Sequence, residues 1–195
     1  MGKIIFVNGK IGGGSPPAGE PYWRVPDTPF VEQAVALFDD HDSVFYTKVD
    51  HAVFSSVKER WQKGKAYANV QLHQLVQGMK PADTIKIVAH SMGCAFAEGM
   101  AQLLLEKGYH VSCLIHINAF QSGHMTANPQ IPITIDYQYT DDVVIRVPFL
   151  SKLGAIKGAM PIRKKSNIRI RRRHRGPIYP ASTLFWEEIR KVLLC

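Results

Sequence analysis

The sequence predicts an α/β fold: a mostly parallel sheet with helices on both faces. Short apolar runs alternate with longer stretches of helical spacing along most of the chain, the pattern of strand–helix–strand units. One of these runs, from Thr84 to Ala89, passes directly through a turn into a helix. At 195 residues, with 46% apolar and 21% charged side chains, the chain suits one domain over residues 1–195 with a sizeable core.

Lys3 to Asn8 reads as the first strand. It ends in Gly9-Lys10-Ile11-Gly12-Gly13-Gly14-Ser15-Pro16-Pro17, which is too rich in Gly and Pro for regular structure. Phe30 to Phe38 has helical spacing, and Ser43 to Val49 reads as a strand. Val57 to about Met79 is a long helical pattern with Trp61, Tyr67, Val70, Leu72, Leu75 and Val76 as its apolar positions. In the next strand Ile85, Ile87 and Ala89 alternate with Lys86 and Val88. A helix from Met92 to about Lys107 follows, stopped by Gly108. Val111 to Asn118 and Ile133 to Tyr139 are strands, the second preceded by Pro132 where a proline is tolerated. Asn167 to Arg172 reads as a short strand and Ala181 to Leu194 as a closing helix.

No apolar run is long enough to span a bilayer, and Met1 to Val7 lacks signal-peptide architecture. The expected location is the cytoplasm, or outside the cell by a route independent of a signal peptide. Cys94, Cys113 and Cys195 are an odd set without metal spacing, so neither a disulfide framework nor a metal is expected, and no cofactor is called for. The glycine loop is not a P-loop, because Lys10 is followed by Ile11. Nor is it a dinucleotide fingerprint, which would need glycine where Pro17 stands.

Chemistry concentrates at Ala89-His90-Ser91-Met92-Gly93. Small residues two positions either side of Ser91 allow a crowded, strained turn, and the following helix start offers free N–H groups where negative charge would develop. This resembles the nucleophile elbow of α/β-hydrolases, with Ala89 in place of the first glycine. In that family the acid and then the histidine follow the serine in the chain. Beyond Ser91, His174 alone lies past the last strand pair, with His124 as fallback base. Asp136, Asp141 and Asp142 are the intervening aspartates. Asp136 falls inside a strand, whereas Asp141 and Asp142 fall just past its end, where catalytic groups of open sheets gather. Asp141 is the expected acid and Asp142 the alternative. The oxyanion donors expected are the backbone amides of Met92 and Lys10.

The elbow, Phe6-Val7-Asn8-Gly9 (where the family often has His-Gly), Asp141-x-Val143-Val144 and His174-x-Gly176 together are similar to small bacterial lipases and esterases. The resemblance implies a minimal α/β-hydrolase core of about six strands without a large lid. It also implies a serine hydrolase of carboxylic esters, with lipids as the first candidates. Catalysis would run through Ser91, Asp141 and His174.

The net charge of +8 comes from one segment: Arg163, Lys164, Lys165, Arg169, Arg171, Arg172, Arg173 and Arg175. Such a patch attracts anions, so an anionic membrane surface or an acidic protein is an expected partner. Sparse aromatic interleaving disfavours nucleic acid. The rival reading is a hydrolase-fold binding protein without catalysis that docks through this segment.

Overall fold

The computed structural model describes residues 2–12, 16–38, 43–52, 54–142, 144, 154–165, 170–179 and 182–194. Its strands are β1 (Lys3–Val7), β2 (Ser43–Tyr46), β3 (Thr84–His90), β4 (His110–Ile117), β5 (Ile133–Tyr139) and β6 (Met160–Lys164). Its helices are α1 (Glu20–Trp23), α2 (Phe30–Phe38), α3 (Val57–Val70), α4 (Leu72–Leu75), α5 (Gly93–Glu106) and α6 (Ser182–Leu193). Two 3-10 segments span Ser122–His124 and Ile170–Ile178.

The six strands form one parallel sheet in the order β2-β1-β3-β4-β5-β6. Alternation along each strand divides the core in two. Ile5, Val7, Ile85, Ile87 and Ala89 face α3, α4 and α5 through Ala68, Leu75, Phe96, Ala97, Met100 and Leu104. Ile4, Phe6, Val88, Ile115 and Ile135 face the other way, onto Trp23, Phe30, Phe185 and Trp186. Both faces are therefore covered, as a parallel sheet requires. Each fully buried branched side chain contributes about 1.5–3 kcal/mol relative to exposure.

Register brings the strand ends to one edge. Val7 lies beside Ala89, His90 beside Ile117, and Ile117 beside Tyr137. The loops beginning at Asn8, Ser91, Asn118 and Thr140 consequently emerge side by side. Helix α5 is held by a close crossing with α3. A Cβ on Gly64 would collide with the Phe96 carbonyl, and one on Gly99 with the Trp61 carbonyl.

The structure departs from the sequence expectations at three elements. Strand β2 stops at Tyr46, because the chain beyond it turns to bond Asn8. The long helix expected from Val57 breaks at Gln71, which leaves Val70 exposed and turns Leu75 into the core. The last strand is Met160–Lys164. Residues 170–172 of the expected strand belong to a 3-10 segment, and 167–169 lie outside the described residues. Pro161 argues against a strand by pattern, but β6 is the sheet edge, where a missing N–H costs little.

Candidate active site

Ser91 occupies the turn between β3 and α5 with φ +54°, a left-handed conformation that a non-glycine residue rarely adopts. Bonds from both sides hold it there. Its N–H donates to the Ile117 carbonyl at 2.9 Å, and its carbonyl accepts from Phe120 N–H and Cys94 N–H, each at 3.2 Å. The small neighbours are required. A side chain at Gly93 would strike the Asn8 carbonyl, and a Cβ at Gly9 would lie 2.9 Å from the Ser91 Cβ.

The Ser91 hydroxyl lies 2.7 Å from His174 Nε2, and His174 Nδ1 lies 2.6 Å from Asp142 Oδ2. Asp142 is fully buried, and its second oxygen accepts the Val144 N–H at 2.9 Å. A buried carboxylate on Nδ1 fixes the Nδ1–H tautomer, which leaves Nε2 as a lone pair facing the serine proton. The His174 carbonyl is clamped by two donors, His90 Nε2–H and Asn118 Nδ2–H, each at 2.8 Å.

The aspartate bonded to His174 is Asp142, not the expected Asp141. The Asp142 N–H bonds back to the Tyr139 carbonyl at 3.1 Å, closing a turn with Thr140 and Asp141 at its corner. Corner side chains project outward, and Thr140 is exposed and Asp141 partly so, while Asp142 swings beneath His174. Asp136, inside β5, instead bonds Arg163 Nη2 at 2.6 Å, and His116 in β4 bonds Glu98 at 2.9 Å. The fallback base, His124, lies in the 3-10 segment Ser122–His124, apart from this chain of bonds.

Two further histidines support the site: His90, which the sequence places at the variable position of the elbow beside the nucleophile but pointing elsewhere, and His51, which reads as peripheral. His90 is buried. Its Nδ1 accepts from the Tyr22 hydroxyl at 2.6 Å, and that hydroxyl packs against Gly9, where a Cβ would lie 2.7 Å from it. Burial drives the pKa of His90 well down, with His174 and Arg175 adding to the effect, so it stays a neutral link. His51 is buried too, and its Nε2–H donates to the Asn8 carbonyl at 3.0 Å. Neither contact has a sequence signature, because each partner is distant along the chain.

Of the expected oxyanion donors, the Met92 amide sits at the elbow before α5, and Lys10 follows Gly9 in the loop after β1. The Lys10 side chain turns away, to Asp50 at 2.8 Å. One turn along α5 from the serine lies a cavity of about 580 Å³. Val57, Trp61, Ala95 and Met125 supply apolar walls, and Lys58 and Glu98 supply charge. Ser91 is not among its lining residues, so the cavity adjoins the reactive centre rather than containing it.

Part of the basic segment is consumed by the fold. Arg163 pairs with Asp136 and Lys164 with Glu188. Arg175 stacks 4.4 Å over the Tyr22 ring and donates to the Tyr22 carbonyl. Lys165 is exposed, and Arg169 lies outside the described residues. No helix among the described residues is long and apolar enough to cross a membrane.

Comparison with solved structures agrees with this architecture. The chain matches the esterase EstE5, in a crystal soaked with p-nitrophenyl butyrate, at TM-score 0.52 and 12% identity, covering 98% of this chain and 76% of that one. It matches an esterase/lipase from an uncultured bacterium at TM-score 0.51 and 12% identity, covering 98% and 75%. A putative α/β-superfamily hydrolase from Xanthomonas campestris aligns over 98% of this chain and 99% of its own, at TM-score 0.49 and 14% identity. No protein-family model matches the sequence, and no curated protein matches it significantly. The chain has the α/β-hydrolase fold.

Proposed function

We propose that the protein is a serine hydrolase of carboxylic esters acting through an acyl-enzyme. The observation that carries this reading is the unbroken line Asp142–His174–Ser91, with contacts of 2.6 and 2.7 Å. His174 takes the Ser91 proton as Oγ attacks the ester carbonyl. Asp142 holds the imidazole tautomer and stabilises the imidazolium that forms. The Met92 and Lys10 amides receive the oxyanion. His174 then protonates the leaving alcohol, and water, activated by the same histidine, releases the acid.

The adjoining cavity supports a compact acyl or alcohol group carrying polar atoms rather than a long alkyl chain, because six of its ten lining residues are polar or charged, Ser56, Gln121, His124 and Thr126 beside Lys58 and Glu98. This shifts the substrate expectation from lipids toward smaller esters. The test is labelling by a fluorophosphonate, with hydrolysis of p-nitrophenyl acetate measured in parallel. Labelling at Ser91 that vanishes in Ser91→Ala supports the reading. A folded protein that neither labels nor hydrolyses the ester would overturn it.

A further inference from the structure

We infer that Asn8 is a positioning residue that sets the direction of the Lys10 amide and thereby forms the second half of the oxyanion hole; this rests on the hydrolase reading above. Asn8 stands at the end of β1 where hydrolases of this kind often carry histidine. It is fully buried, and both ends of its side-chain amide are used. Nδ2 donates to the Gly9 carbonyl at 2.8 Å and to the Val49 carbonyl at 2.6 Å. Oδ1 accepts from Thr47 Oγ1 at 3.1 Å and from Val49 N–H at 3.3 Å. Two carbonyls on one side and two donors on the other fix which end is nitrogen. An aspartate of the same shape could not make this set.

The consequence follows from peptide planarity. Gly9 C=O and Lys10 N–H belong to one trans peptide and point in opposite directions. Asn8 draws the carbonyl toward Val49 and Thr47, on the β2 side of β1. The Lys10 N–H is therefore aimed the other way, toward β3 and the serine that follows it, since β1 lies between β2 and β3. The backbone here is already against the nucleophile, as the 2.9 Å approach of a Gly9 Cβ to Ser91 Cβ indicates. The peptide next in line is thus the one positioned for an oxyanion on the carbon that Ser91 attacks.

Asn8→Asp tests this with little change in size. Its carboxylate cannot donate to the Gly9 carbonyl and repels it, so the peptide loses its reason to hold that orientation. The expected result is a fall in kcat for p-nitrophenyl acetate of roughly 10²–10³-fold. KM should change less than threefold, and the midpoint of the pH–rate profile should not move. Lys10→Pro removes the N–H itself and should lose as much. The double variant should be no worse than either single, because both act through one hydrogen bond. General loosening of the site would instead raise KM and displace the pH profile, and that pattern overturns the proposal. Wild-type kcat in either single variant overturns it too. If Asn8→Asp does not fold, Asn8→Ala, which likewise removes the donor to the Gly9 carbonyl, decides the matter by the same criterion. A wild-type protein inert to fluorophosphonate would refute the hydrolase reading itself, an outcome distinct from both.

Discussion

Asp141 and Asp142 separate what pattern can give from what only a turn can give. Replacing Asp142 by Asn would leave His174 without the acceptor that selects its tautomer, and kcat should fall by roughly 10⁴-fold with little change in KM. Asp141→Asn, at the turn corner, should stay within a few-fold of wild type in the same assay. Equal losses in both variants would refute the assignment of Asp142. The sequence could narrow the acid to these two neighbours, because chain order and the end of an alternating strand are one-dimensional features. It could not choose between them. The choice depends on the hydrogen bond from Asp142 N–H to Tyr139 O, which sends one side chain outward and the next inward. Ser91 and His174 were legible for the first reason. His90, Asn8 and His51 were not, because their roles consist of contacts across 84, 41 and 43 residues of chain.

At the scale of elements, the loop joining β2 to α3 is fastened over the end of β1 by His51, and this makes stability depend on pH. Burial, the first cause, holds the pKa of His51 at about 4 against an ordinary 6.5. Arg60 and Lys63 also lower it, while the bond to Asn8 and the charge of Asp50 act in the opposite sense. The folded pKa lies below the unfolded one. Between pH 6.5 and 4 the unfolded chain therefore binds a proton that the folded chain does not, and stability falls as pH falls through that window. It is level above the window, and the full effect is about 3 kcal/mol. His90, also held neutral by burial, adds a loss of the same sign. Urea unfolding at pH 7 and pH 4.5 should thus show wild type much weaker in acid, with the difference smaller by about 2 kcal/mol in His51→Gln. An unchanged pH difference in that variant would show that His51 carries none of it.

The molecule as a whole closes at its last strand. Alternating periodicity revealed the α/β layering, because a sheet buried on both faces must place apolar residues on every strand. It did not reveal β6, which carries Pro161 and two cations and draws its stability from pairing rather than from burial of its own side chains. The device that holds it is Asp136, a fully buried carboxylate in β5. Arg163 of β6 donates to it at 2.6 Å and to the Asp136 carbonyl at 2.6 Å, and Ile156 N–H and Gln138 Nε2 donate to it at 3.1 and 2.9 Å. One charge thus joins two strands and the segment that leads into the second. The arginine in this pair acts mainly as a counter-ion for a carboxylate that cannot reach water. Arg163→Leu removes it and should cost about 2–3 kcal/mol, toward the low end for a buried pair because Arg163 is 29% exposed. Removing the carboxylate as well, in Asp136→Asn with Arg163→Leu, takes away the unpaired charge and should recover about half of that loss. Urea unfolding of wild type, single and double variants measures both. A double variant less stable than the single would mean that Arg163 and Asp136 stabilise the edge independently of each other, and the account of β6 as a strand held by one shared charge would fall.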